Sequence, residues 1–243
     1  ATVSYTGLSR YASCPYRYYA TAIARLPAPP AAIGTDARAF GVAAHRVLER
    51  CSTPGRPSDE LLKAAAAGAG LGATDVSRLR AAVETFLGSK VAADILAAER
   101  VMREAPIAVP IGGVVLAGTV DVIAWRGDEV LIADYKTGRG APDDEAARER
   151  YRLQATCYAL AALATGAASA RVAFVEIETG REVEYAFRAP DRPMLEGAVS
   201  ALTDRMRAGE YAPRGTYERD SCETCPAFGS LCPVTRPTAG GAD

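Results

Sequence analysis

The feature that most constrains the fold of this chain is a change in hydrophobic period near residue 100. Upstream, apolar residues recur every three or four positions, which is the period of an amphipathic helix. From residue 101 to residue 135 they alternate instead, and glycine turns at 112–113 and 126–128 divide this stretch into three segments. Alternation bounded by such turns predicts a three-strand antiparallel meander.

Helices and further strands are predicted on both sides of the meander. The predicted helices cover 8–24, 36–52, 59–68, 75–99, 143–165 and 191–208, and the predicted strands cover 101–111, 114–125, 129–135, 170–177 and 182–188. This order predicts an α/β fold with a mixed sheet between helices and the meander at its centre.

Charge and hydropathy restrict the class of protein only weakly. With 28 basic and 29 acidic residues the net charge is −1, so binding to nucleic acid would require local basic patches. No apolar run is long enough to cross a membrane, and no signal peptide precedes the first element. We therefore expect a cytoplasmic protein with no membrane partner. Because the chain begins with Ala1, an excised domain of a longer polypeptide and a freestanding protein both fit.

Two acids and a lysine interrupt otherwise apolar strands. Asp134 and Lys136 are two residues apart, so they share one face of a strand, while Tyr135 points toward packing on the other. Asp121 lies in the preceding strand. A buried acid needs a cation or hydrogen bonds, so this pattern fits either a metal site beside a lysine or a structural Asp134–Lys136 ion pair. In either case the acids repel one another, and removing Asp134 should relieve that repulsion.

Other polar residues qualify as partners for this site. Glu104 begins the first meander strand, and His45 is the only histidine. Gln154 and Tyr158 lie one helical turn apart and point the same way. Taken singly, the histidine fits a packed core position, and the glutamine and tyrosine fit a helix surface.

The six cysteines divide into two kinds. Cys51 and Cys157 occur in helical segments, where they fit plain buried thiols. The other four are Cys14 near the start and Cys222, Cys225 and Cys232 near the end. The CxxC spacing and the absence of a signal peptide favour metal ligation in a reducing compartment. Four thiolates serve either zinc or an iron–sulfur cluster.

Together these motifs resemble the RecB-like branch of the PD-(D/E)XK nucleases. The matching residues are Gly41-x3-His45, Glu104, Gly118-x2-Asp121, Asp134-Tyr135-Lys136-Thr137-Gly138 and Gln154-x3-Tyr158. The cysteines, each but Cys222 followed by proline, resemble the iron–sulfur staple of AddB- and AdnB-type helicase–nucleases and of CRISPR adaptation nucleases. The gap of six residues between Cys225 and Cys232 is one longer than in that family.

The resemblance implies a restriction-endonuclease-like core whose N- and C-terminal segments are stapled by a metal cluster. It implies a single nuclease domain over 1–243, with a catalytic core at 100–190 and a flexible tail at 234–243. A [4Fe-4S] cluster on Cys14, Cys222, Cys225 and Cys232 would join the ends, 1–35 and 210–233.

The resemblance also implies a Mg²⁺- or Mn²⁺-dependent deoxyribonuclease. His45, Asp121, Asp134 and the Tyr135 carbonyl would hold the metal, and Glu104 would assist. Lys136 would orient or deprotonate the attacking water and stabilise the phosphate. Gln154 and Tyr158 would position the DNA strand or the lysine.

The implied substrate is DNA, single-stranded, in end processing and double-strand break repair. Candidate DNA contacts are Arg10, Arg17, Tyr18 and Arg139, although tyrosines here also fit packing around the cysteines. No P-loop motif is present, so any helicase would be another domain or subunit. The alternatives are a non-catalytic DNA-binding module and a zinc-stapled scaffold.

Overall fold

The structure, a computed structural model, describes residues 1–29, 35–51, 56–138 and 143–237. The helices are α1 (Tyr5–Ser13), α2 (Pro15–Tyr18), α3 (Thr35–Arg50), α4 (Asp59–Gly68), α5 (Ala73–Leu87), α6 (Lys90–Leu96), α7 (Asp144–Leu163), α8 (Arg192–Arg207) and α9 (Arg219–Cys222). The strands are β1 (Thr2–Val3), β2 (Arg100–Ile111), β3 (Val114–Arg126), β4 (Glu129–Lys136), β5 (Ser169–Glu176) and β6 (Arg181–Arg188). A π-helical turn covers Tyr19–Ile23 and a 3₁₀ turn covers Ala189–Asp191.

The chain divides into two compact units. The larger contains residues 33–109 and 117–195, and the smaller contains residues 1–32, 110–116 and 196–243. No helix in the described ranges is both long enough and apolar enough to span a membrane.

The larger unit is built on a mixed sheet. Strand β2 pairs with β3, β3 runs antiparallel to β4, β4 runs parallel to β5, and β5 runs antiparallel to β6. The mixed α/β architecture is thus confirmed, but the meander does not occupy the centre. Strand β4 does, because the connection through α7 places β5 and β6 beyond it, and parallel neighbours require such a crossover.

Helices cover both faces of this sheet. On one face α3 to α6 enclose a core that includes Phe40, Phe86 and the inward side chain of Tyr135. On the other face α7 packs its tyrosines on β5, with the rings of Tyr151 and Tyr158 stacked 4.6 and 6.4 Å from that of Phe174. Alternate residues of β4 therefore face different helical layers, so Asp134 and Lys136 lie on the α7 side.

Two predicted helices are wrong in extent. The helix predicted over 75–99 is two helices, because Gly88 ends α5 and Ser89 caps α6 by accepting a hydrogen bond from the Ala92 amide at 3.1 Å. The helix predicted over 8–24, with an interruption at Cys14-Pro15, begins earlier, at Tyr5. The interruption itself is confirmed, because Cys14 has an extended backbone and precedes the proline that starts α2.

The smaller unit joins the two ends of the chain. Strand β1 pairs in parallel with Val115 and Leu116 at the start of β3. The Tyr11 hydroxyl donates to the Glu210 carbonyl at 2.8 Å, and the hydroxyls of Ser13 and Ser221 lie 2.7 Å apart. The N-terminal helices and the C-terminal segment are therefore hydrogen-bonded directly to each other. Residues 238–243 of the predicted tail lie outside the described ranges.

Candidate active site

The two strand acids meet where the ladder between β3 and β4 ends. The last pair of this ladder is Val122 with Ala133, so Asp121 and Asp134 lie one residue beyond it on neighbouring strands. The Oδ2 atom of Asp121 accepts a hydrogen bond from the Tyr135 amide at 2.6 Å. This bond ties Asp121 to the backbone of β4 and fixes the spacing between the two acids.

A candidate metal-binding group, called the metal-binding group below, lies around Asp121. One donor atom each from His45, Glu104 and Asp121 lies within 4.8 Å of the others. The Nδ1 atom of His45 is 3.2 Å from Oδ1 of Asp121. Helix α3 can bring His45 this close because Gly41 packs against the end of β4, where a Cβ atom would lie only 2.9 Å from Oγ1 of Thr137. The Gly41-x3-His45 spacing therefore has a packing cause.

Glu104 reaches this group from an unusual backbone conformation. Its φ of 46° lies in the left-handed region, which is strained for a glutamate. A positive φ within a strand turns a side chain away from the direction that regular alternation would give it. The strain is compensated by the surrounding strand, and strain of this kind is concentrated at functional sites.

Asp134 lies outside that group, and its oxygens are bound by a separate set of donors. Lys136 Nζ is 2.5 Å from Oδ1 of Asp134. Gln154 Nε2 and the Tyr158 hydroxyl each donate to Oδ2 at 2.8 Å. Gln154 Oε1 accepts from Lys136 Nζ at 2.9 Å, so the amide bridges the acid and the lysine. Gln154 and Tyr158 are thus buried site residues and not surface residues of α7.

The electrostatics of the site favour a cation. Burial raises the pKa of Asp134, and the Asp121 charge adds to this although Lys136 opposes it. Burial and the same Asp121 charge raise the pKa of Glu104. Burial lowers the pKa of His45, but the hydrogen bond and charge of Asp121 outweigh it, so the pKa is raised. Carboxylates this close resist ionisation together, and a divalent cation relieves that repulsion.

Two residues at the site had no functional signal in the sequence. The rings of Tyr151 and Phe174 lie 5.4 and 5.2 Å from Lys136 Nζ, close enough for cation–π attraction. Tyr151 lies three residues before Gln154 on α7, so helical periodicity extended back one turn could have found it. Phe174 comes from β5, and only the sheet register places it beside Asp134.

The four predicted cluster cysteines come together in the smaller unit. Cys14, Cys222, Cys225 and Cys232 all line one small cavity. Cys157 is buried elsewhere, and burial raises its pKa to about 12.

The residues predicted to contact DNA have different surroundings in the structure. Arg17 lines the cysteine cavity, with Nη2 donating to Oγ1 of Thr224 at 2.7 Å. Burial lowers the pKa of Arg17, and Arg10 adds to this while the thiols oppose it. Tyr18 packs against Tyr11 and Tyr211, with ring centroids 5.8 and 6.2 Å away. Arg10 bonds to the hydroxyl of Thr21 at 3.3 Å. Arg139 lies outside the described residues.

A test of the Asp134 network is the Tyr158→Phe substitution. It removes a hydrogen bond that favours the ionised form of Asp134, so the pKa of Asp134 should rise further. The acid limb of a pH–rate profile should then move to higher pH, and stability should fall by about 1–2 kcal/mol. Tyr151→Phe on the same helix is the matched control. An unshifted profile in Tyr158→Phe would contradict a role for this hydroxyl.

Paired acids, a lysine and a metal-binding group at the edge of a mixed sheet define a phosphodiester-cleaving class of enzyme. A sequence profile of the PD-(D/E)XK nuclease superfamily matches residues 2–233. The chain belongs to this superfamily and is thus a nuclease by class.

A solved structure shows a similar fold. A Eubacterium rectale protein, described provisionally as an exonuclease, matches with a TM-score of 0.54 at 12% identity, over 86% of this chain and 82% of that chain. The structure of SSO0001 matches with a TM-score of 0.42 at 18% identity, over 96% of this chain and 86% of its own. No curated protein sequence matches this chain.

Proposed function

We propose that this chain is a deoxyribonuclease that uses Mg²⁺ or Mn²⁺. The observation that carries the proposal is that His45, Glu104 and Asp121 each place a donor atom within 4.8 Å of the others. Asp134 lies opposite Asp121, one residue beyond the end of the β3–β4 ladder. Imidazole and carboxylate donors fit such a cation. Asp134 and the Tyr135 carbonyl would complete the ligand set. When bound, the metal supplies charge neutralisation and a water of lowered pKa.

Side chains around Lys136 hold its ammonium group in place for the reaction. Its ammonium is fixed by Asp134 and Gln154 and lies near two aromatic rings, so few conformations are open to it. A preorganised ammonium can orient an attacking water and stabilise negative charge on the phosphate. Gln154 and Tyr158 act through Lys136 and Asp134, and are therefore positioning residues.

The finer parts of the proposal rest on the RecB-like resemblance. They are single-stranded DNA as substrate, a role in DNA end processing and double-strand break repair, and a helicase domain or subunit as partner. The similarity of fold to a protein described as an exonuclease agrees with action at DNA ends.

The proposal includes a [4Fe-4S] cluster on Cys14, Cys222, Cys225 and Cys232. All four line one cavity, and the half-buried Arg17 guanidinium there would offset the negative charge of four thiolates. Four thiolates serve either tetrahedral zinc or an iron–sulfur cluster, so the iron and zinc content of the purified protein decides between them.

The function is tested by incubating labelled single-stranded and duplex DNA with the protein and Mn²⁺, Mg²⁺ or chelator. We expect cleavage that requires the metal and is faster on the single strand. Binding without cleavage under every metal condition would instead identify the non-catalytic DNA-binding module.

His45→Ala separates a metal ligand from a packed core histidine. If His45 is a metal ligand, its replacement by alanine should raise the Mn²⁺ concentration needed for half-maximal cleavage by about tenfold or more. The melting temperature should change little, because the His45 side chain is 33% exposed. Since metal must displace the proton that Asp121 holds on His45, wild-type metal affinity should increase with pH. A lower melting temperature with unchanged metal dependence would assign His45 to the core.

A further inference from the structure

An open cleft in the larger unit leads to the metal-binding group. Its lining includes Arg38, Val42 and Arg46 from α3, together with His45, Glu104 and Thr137. One wall of the cleft is therefore an exposed helical face next to the residues that would hold the metal.

The α3 wall carries two arginines on one stripe. Arg38, Val42 and Arg46 follow one another at intervals of four residues, so they lie on the same side of the helix. At 1.5 Å per residue the two arginines are about 12 Å apart along the helix axis. In the described ranges neither arginine forms an ion pair with an acid. Val42, between them, is 47% exposed.

The Arg46 guanidinium lies close to a glycine of the neighbouring helix. A Cβ atom on Gly68, the last residue of α4, would lie 2.6 Å from Nη1 of Arg46. The bare backbone at Gly68 therefore leaves the space that the guanidinium occupies. Among the described residues no carboxylate pairs with this guanidinium, so it is available to an anionic ligand beside the metal-binding group.

We propose that Arg38, Val42 and Arg46 form a subsite for the DNA backbone beside the scissile phosphate. The two guanidiniums bind phosphates, since planar guanidinium forks match phosphate oxygens. Arginines whose backbones are about 12 Å apart along the helix axis are too far from each other to bind one phosphate together, so they contact different phosphates of the same strand. Val42 packs against the sugar between them. The inference rests on the proposed nuclease function and names the residues that hold its substrate.

The test measures the salt dependence of DNA binding in a Lys136→Met background, which leaves the strand uncut, with Mn²⁺ present. Arg46→Ala should weaken the binding of a single-stranded oligonucleotide about tenfold. It should also reduce the slope of log K against log salt by about 0.7, the value for one single-strand phosphate contact, against about 0.9 for a duplex. Arg38→Ala should reduce the slope in the same way.

Two further variants control for charge and fold. Gly68→Ala keeps every charge and favours the helix, yet it displaces the Arg46 guanidinium, so it too should weaken binding. Lys63→Ala removes one positive charge from α4 outside the cleft and should leave affinity and slope unchanged. In the cleavage-competent protein, Arg46→Ala should raise KM and leave kcat near wild type.

The outcomes separate this inference from the proposed function. If the wild-type chain cuts DNA but Arg46→Ala and Arg38→Ala bind with unchanged affinity and slope, the subsite is wrong and the nuclease stands. If Lys63→Ala lowers the slope as much as Arg46→Ala, the change in salt dependence reflects the net charge of the protein and not a specific contact, and the subsite is again wrong. If the wild-type chain neither binds nor cuts DNA with Mn²⁺ or Mg²⁺, the proposed function fails and the subsite fails with it.

Discussion

Replacing Asp134 with Asn or Lys136 with Met should reduce the rate of DNA cleavage by about three orders of magnitude or more. Loss of a charged group that acts on the transition state costs about 10²–10⁴-fold in rate, and Asp134 also anchors Lys136 at 2.5 Å. The measurement is kcat on a single-stranded oligonucleotide with Mn²⁺. Folded Asp134→Asn protein that cuts at the wild-type rate would show that the catalytic assignment is wrong.

Asp134→Ala should lower the stability of the protein, although relief of the repulsion between the acids alone would raise it. Asp134 is only 5% exposed and receives bonds from Gln154, Tyr158 and Lys136. Asp134→Ala would leave these donors without their acceptor, and breaking a buried pair by removing one partner costs about 3–5 kcal/mol. Thermal unfolding without divalent metal measures this.

A double variant distinguishes lost chemistry from lost folding. Lys136→Met alone leaves a buried carboxylate without its cation, so it should be destabilised. Asp134→Asn combined with Lys136→Met removes both charges and should recover much of that stability while remaining inactive. Recovery of stability without activity would locate the defect in catalysis.

Replacement of any one cluster cysteine with serine should abolish or severely reduce iron binding. Anaerobically purified wild-type protein should be brown, absorb broadly near ~400 nm and contain about four irons per chain. Cys14→Ser is the most informative variant, because Cys14 is the ligand from the N-terminal segment. Cys51→Ser and Cys157→Ser are the matched controls and should leave the colour unchanged.

The cysteine variants should loosen the smaller unit without unfolding the larger one. Hydrogen exchange should increase in α1 and α2, although hydrogen bonds such as Tyr11 to Glu210 still join the chain ends. A colourless wild-type protein with one zinc per chain would overturn the cluster. It would leave the nuclease site intact, since different residues bind the two metals.

The sequence by itself determined the features that depend on local period. Residues two apart share a strand face, which places Asp134 and Lys136 together, and residues four apart share a helix face, which places Gln154 beside Tyr158. The mixed α/β architecture followed from the order of helical and alternating segments. These relations need no knowledge of how distant segments pack, because the backbone geometry of each element fixes them.

Only the tertiary structure decided which of these elements meet. The contact of His45 with Asp121 depends on close packing of Gly41 on Thr137, and the reach of Glu104 depends on a positive φ that no sequence period reveals. The same holds for Arg17, which points at the cysteines. Contacts between residues far apart in the chain are set by how whole layers pack, and that information is not carried by any local stretch of sequence.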